Sequence, residues 1–133
     1  MKGVFPVFLL ILAFILTACG GERSNVPAAL ATVPPEYAGK TNPLGPEAAT
    51  AGAEVFKANC ETCHGPQGHG DGPAGQVLDP RPKNLADLQA VATDDYLFWR
   101  ISDGKPGTSM IAWKGILSEE QIWQAVSFLR TLK

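Results

Sequence analysis

The chain runs to 133 residues, room for one domain with appendages. Its 11 Lys and Arg against 13 Asp and Glu leave a formal charge of −2. That balance excludes the basic stripe a nucleic-acid partner demands, and it excludes a strongly cationic protein built to dock on acidic surfaces.

Lys2 supplies a positive start, and VFPVFLLILAFIL follows from Val4 to Leu16 without a charge. This is the apolar core of an export signal, and it falls short of the ~20 residues that cross a bilayer. It ends in LTAC, Leu16 to Cys19. That ending resembles the lipobox of bacterial lipoproteins, in which the chain is cut before the cysteine and both the thiol and the new amino terminus are acylated. The resemblance implies a signal peptide over 1–18 and lipid on Cys19. It also implies a place on the extracytoplasmic (periplasmic) face of a bacterial membrane. Several acyl chains hold where one is marginal. The plainer reading is an ordinary signal with an incidental cysteine.

Residues 20–46 contain Pro27, Pro34, Pro35, Pro43 and Pro46 and show no helical apolar period. A lipid-anchored flexible linker over 19–45 is expected from that composition. A segment that wraps the domain or a partner subunit would have the same composition.

The domain occupies 46–133. PEAATAGAEVFKANC starts at Pro46, suited to a helix start, and continues through Ala-rich sequence. Val55 and Phe56 give this helix an apolar face, and Gly52, one turn earlier, lets another helix approach. Residues 65–84 hold too much Gly and Pro for a regular element, and a loop that long in a small domain needs a functional reason. TDDYLFWRISDG reads as a helix, with Thr93 at its N-cap, Asp94 and Asp95 at its positive end and Gly104 at its stop. KPGTSMIAWKGI is irregular. The last helix opens with Ser118 and Gln121 at capping-box spacing, and Ile122, Ala125, Val126, Leu129 and Leu132 recur at helical period. No strand stands out. Three modest helices cannot build much core alone, so something else should fill the middle.

Two of the three cysteines and both histidines lie in NCETCHGPQGHGDGP, residues 59–73. With Cys19 assigned to lipid, Cys60 and Cys63 remain, in a compartment where free thiols rarely persist. The spacing Cys60-x-x-Cys63-His64 is the attachment pattern of c-type haem. Two thiols reach two vinyl groups on one porphyrin edge as thioethers, and the adjacent imidazole supplies an axial ligand. The porphyrin also supplies the missing apolar core. A zinc site wants four ligands and lacks a second cysteine pair. A thioredoxin-like pair belongs to a βαβ context that is missing here. Met110 is the one methionine left once the signal goes. A lone methionine is often core filler, but its place in the irregular GTSMIAW, between two helices, points to the second axial ligand. His69 lies too near His64 to reach the opposite haem face easily, and reads as a surface histidine.

Over about residues 46–133 the chain resembles the small single-haem class I cytochromes c. The likeness rests on CETCHG, GHGDGPAG…LDPRPKNL, ISDGKPGTSMIAW and LSEEQIWQAVSFLRTL. It implies an all-α cytochrome c fold, three to five helices packed around one haem c bound through Cys60 and Cys63. The first and last helices should cross, with Gly52 and Phe56 near Trp123, Phe128 or Leu129. Iron would be held by His64 and Met110. A backbone carbonyl should support His64, with Pro73 and Pro80 as candidates. Leu78, Leu85 and Ile101 would line the haem, and Trp99, Arg100 and Trp113 would reach its propionates. Ile111 departs from the family, many of whose members have proline after the methionine.

With both axial positions filled, iron exchanges electrons but has no place for substrate. The expected function is therefore electron transfer, not enzymatic turnover. The partners would be redox proteins at the membrane: a quinol-oxidising complex such as alternative complex III, a terminal oxidase or a reaction centre. Thioether ligation favours Fe(II) and raises the potential above that of bis-histidine ligation. A haem enzyme or gas sensor with a labile methionine is the alternative from another class. A thiol–disulfide enzyme is a third.

Overall fold

The computed structural model describes residues 29–133. The expected signal peptide over 1–18 and Cys19 lie outside the described residues. Five helices follow in order: α1 Ala48–Asn59, α2 Glu61–His64, α3 Leu85–Val91, α4 Asp94–Asp103 and α5 Glu119–Leu129, with one 3-10 turn at Gly75–Val77. Among the described residues there is no strand, only an isolated bridge between Lys114 and Leu117. None of the described helices is long and apolar enough to cross a membrane.

α1 and α5 cross at Gly52. A methyl group there would run into the Gln124 carbonyl, so glycine sets how close the two backbones come. Phe56 and Phe128 meet beside the crossing at 5.0 Å between ring centroids, as the resemblance implies. α5 begins with the expected capping box: Gln121 N–H donates to Ser118 Oγ at 3.1 Å, and Ser118 N–H donates to Gln121 Oε1 at 2.9 Å. α4 packs on α5 through Phe98 stacked on Trp123, 4.1 Å apart and 25° from parallel. It stops at Gly104, whose φ of 68° suits a residue without a side chain. Thr93 occupies the cap position of α4, but its hydroxyl donates to the Asp95 carboxylate instead of accepting from the helix.

Two features differ from the sequence expectation. The stretch after Asn84 is helical: Asn84 Oδ1 accepts from Ala86 N–H at 2.9 Å and Asp87 N–H at 3.4 Å, which starts α3. The later part of the expected flexible linker is packed. Tyr37 is 5 % exposed and belongs to the core, and Val33 and Leu44 rest against it. The backbone turns at Pro34–Lys40. Asn42 Nδ2 then reaches the Trp123 carbonyl and Ser127 Oγ of α5 at 3.1 and 2.9 Å. The correction has a plain cause: one aromatic and one amide find buried partners that a proline-rich composition does not reveal.

Candidate functional site

Cys60, Cys63 and His64 sit at i, i+3 and i+4. One helical turn puts such positions on one face, and the chain makes that turn: Cys63 and His64 N–H groups both donate to the Cys60 carbonyl, at 3.1 and 2.9 Å. The two sulfurs are not joined in a disulfide. Burial, reinforced by the neighbouring Cys63, pushes the Cys60 thiol up to about 12. Among the described residues no three Cys, His, Asp or Glu side chains converge as a metal cage.

The glycine-rich loop closes behind this turn. Gly70 N–H donates to the His64 carbonyl at 2.8 Å and Ala74 N–H to the Thr62 carbonyl at 3.0 Å, so the exposed end of a four-residue helix is capped by backbone. A methyl group on Gly72 would strike the Glu61 and Thr62 carbonyls, and one on Gly75 the Cys63 carbonyl. The glycines are there because backbone lies against backbone.

Burial holds the His64 imidazole below its ordinary pKa, opposed by the backbone of Lys83. The ring is therefore neutral at pH 7 and has a lone pair to give. Its Nδ1 is fully buried and no acceptor meets it at hydrogen-bonding geometry, although the Lys83 backbone lies close enough to act on the ring. The backbone that acts on the ring is that of Lys83, and neither Pro73 nor Pro80 donates or accepts a hydrogen bond there. The loop turns so that the residue after Pro82 faces the histidine. This one turn, with two thiols and one half-buried imidazole on the same face, fits covalent haem attachment.

Met110 lies in the irregular segment after α4, residues 104–117. Lys105 N–H donates to the Met110 carbonyl at 2.9 Å, and Met110 N–H donates to Thr108 Oγ1 at 3.2 Å. The loop is tied to the end of α4 by Trp113 N–H to the Ile101 carbonyl, 3.1 Å, and Lys114 N–H to the Ser102 carbonyl, 3.0 Å. Met110 is half-buried and Ile111 is exposed. Of the expected lining residues, Leu85 and Ile101 are buried core, with Cys60, Trp99 and Trp113 packed on it. Leu78 is half-buried and stands outside that cluster. Arg100 stacks on Trp99 at 3.8 Å from the ring centroid and lies 5.4 Å from that of Tyr96. Among the described residues the ion pair present is Arg130 with Asp94, and Arg100 has no carboxylate partner. His69 is exposed, its Nε2 3.4 Å from the Lys133 carbonyl. Sequence reasoning missed Lys83, and no local signal marks it.

A family model described as cytochrome c oxidase, cbb3-type, subunit III matches residues 47–129. No curated protein matches the chain. Among solved structures, a chain of the Kuenenia stuttgartiensis reducing HAO-like protein complex aligns with TM-score 0.57 and 25% identity, over 65% of this chain and 45% of that one. The c-type cytochrome KustC0563 aligns with TM-score 0.51 and 26% identity, over 62% of this chain and 96% of that one. Cytochrome CL from the marine methylotrophic bacterium Methylophaga aminisulfidivorans aligns with TM-score 0.51 and 24% identity, over 64% of this chain and 55% of that one. The chain spans about half the length of the first and third of these.

Proposed function

We propose that this chain, which belongs to the family described as cytochrome c oxidase, cbb3-type, subunit III, relays single electrons with His64 and Met110 as the two axial ligands, from a lipid anchor on the outer face of a bacterial membrane. The chain is a small single-haem class I c-type cytochrome, and haem c is bound covalently through Cys60 and Cys63. Electron transfer is the activity of that class. The ligand pair, the anchor and the partners are our reading.

The observation that carries it is the single helical turn that sets Cys60, Cys63 and His64 on one face, with the His64 Nδ1 buried. Bound haem supplies a redox centre that gains and loses one electron. The chain's residues do the rest. The Gly70 and Ala74 amides hold the attachment turn rigid. His64 donates a lone pair, and the loop tied to Ile101 and Ser102 presents the Met110 thioether. Leu85 and Ile101 exclude water. Arg100, without a carboxylate partner among the described residues, is available to the propionates, and Trp99 and Trp113 flank that edge. With both axial positions taken there is no site for substrate, which favours a carrier over an enzyme.

The partners best suited to a nearly neutral, anchored carrier are membrane redox proteins: a quinol-oxidising complex, a terminal oxidase or a reaction centre. If Cys19 carries the lipid, about 13 residues separate it from Val33, where packing begins. They reach at most roughly 45 Å at full extension, and the domain is kept near membrane partners at raised effective concentration.

The test is optical. The purified protein should show one haem c and a near-infrared thioether charge-transfer band that Met110→Ala abolishes. The reduced native protein should not bind carbon monoxide readily. A band that survives Met110→Ala, or ready carbon monoxide binding, would replace this reading with another ligand set or with a haem enzyme. Incorporation of labelled fatty acid that is lost in Cys19→Ser tests the anchor separately.

A further inference from the structure

The packed segment 33–44 touches both ends of the Met110 loop through one residue. The Tyr37 ring is buried against Phe98, with 6.0 Å between centroids. Its hydroxyl donates to Asp103 Oδ1 at 2.6 Å. Asp103 is the last residue of α4, directly before the turn at Gly104. Across the neck, Lys114 Nζ lies 5.9 Å from the centroid of the same ring. Lys114 ends the loop where its N–H meets the Ser102 carbonyl. Gly104 in turn packs directly on the Met110 carbonyl and Ile111, where a Cβ would fall 2.5 Å from that oxygen. Elsewhere the segment grips α4 at its other end: Gly39 N–H donates to Asp95 at 2.7 Å and Asn42 N–H to Asp94 at 3.2 Å.

We infer that Tyr37 is a positioning residue for the Met110 loop, clasping its two ends from a segment outside the haem-binding domain proper. The role rests on the reading of Met110 as an axial ligand. A ten-residue loop with a half-buried methionine has little packing of its own, and its neck is held by backbone hydrogen bonds at Ile101 and Ser102. Such bonds open locally unless something covers them. Tyr37 packs beside this neck, against Phe98 and with Lys114 Nζ over its ring, and adds a hydrogen bond to a carboxylate, the stronger class. Opening the neck would move Met110 off its position without unfolding the helices, so the chain upstream of the domain controls how firmly the sixth ligand is held.

The experiment uses the full haem-loaded chain with Tyr37→Phe, Asp103→Ala, the double variant, and Asn42→Ala as a control that loosens the segment at α5 but not at the neck. Amide hydrogen exchange at Lys105, Trp113 and Lys114 should quicken roughly two- to tenfold in Tyr37→Phe, the equivalent of one ordinary hydrogen bond. Asp103→Ala should match it, and the double variant should add nothing further. In the same samples, carbon monoxide association with the reduced protein should quicken by a similar factor, and the near-infrared band should vanish at lower guanidinium than helix content does. Asn42→Ala should leave these three readouts at parental values. Equal exchange in Tyr37→Phe and the parent, or equal effects from Asn42→Ala, would overturn the inference. Faster exchange in a protein without the band would leave the clasp standing and refute the methionine ligand instead.

Discussion

Replacing Gly52 with alanine tests the α1–α5 crossing on which the haem crevice is built. An added Cβ would lie 2.6 Å from the Gln124 carbonyl carbon and 3.0 Å from Phe128 Cβ. Non-bonded carbon pairs settle at about 3.5–4.0 Å, so the helices must part by about 1 Å. The obstacle is backbone and cannot rotate aside. Parting also loosens the Phe56–Phe128 pair, now at 5.0 Å. Overpacking a tight contact costs about 1–3 kcal/mol, and a contact against backbone belongs at the upper end. Alanine's better helix propensity returns about 1 kcal/mol. The net is a loss of about 2 kcal/mol, or a melting temperature lower by about 8–16 °C in a domain of this size. Far-ultraviolet circular dichroism of the haem-loaded parent and variant measures it. A variant that melts within about 2 °C of the parent, or above it, would refute close helix approach as the reason for glycine.

Arg130 donates to Asp94 Oδ1 at 2.6 and 2.9 Å and to the Gln89 and Ala92 carbonyls, closing the end of α3. Arg130→Met should therefore cost about 2–3 kcal/mol in urea unfolding, the scale for hydrogen bonds to a charged group. Burial, then the Asp103 carboxylate, raises the Tyr37 hydroxyl from 10.0 to about 12. Folding thus favours its protonated form, so its contribution is complete below pH 10 and fades as pH climbs towards 12; tyrosinate absorbance and Gly39 amide exchange should change together there, and Tyr37→Phe should lack the step. Arg100→Gln removes a cation that favours the reduced state, so the reduction potential should fall in a redox titration; an unchanged potential would place Arg100 away from the haem.

The attachment turn was legible because all of its parts lie within five residues. Cys60, Cys63 and His64 share a face by helical spacing alone, and Ser118 with Gln121 announced α5 in the same local way. α3 was harder. It has seven residues, its apolar period is too short to stand out, and its start is fixed from a distance as Leu85 N–H donates to the Gly68 carbonyl at 2.6 Å. The carbonyl facing His64 was not legible either. Which of several loop backbones meets a ring depends on the whole path of residues 65–84, and proline content only narrows the choice.

What the amino-acid order settled by itself is chemistry set by covalent spacing: two thiols and an imidazole on one turn, helix ends with their caps, and glycines where chain must lie on chain. Only the tertiary structure decided that Tyr37 belongs to the core. Its hydroxyl finds Asp103 across 66 residues of sequence, and no local pattern encodes a partner that far away. The difference is physical. Interactions within a turn are imposed by bond lengths and helical rise, whereas those between distant segments exist only once particular surfaces have been brought together and water has been driven from between them.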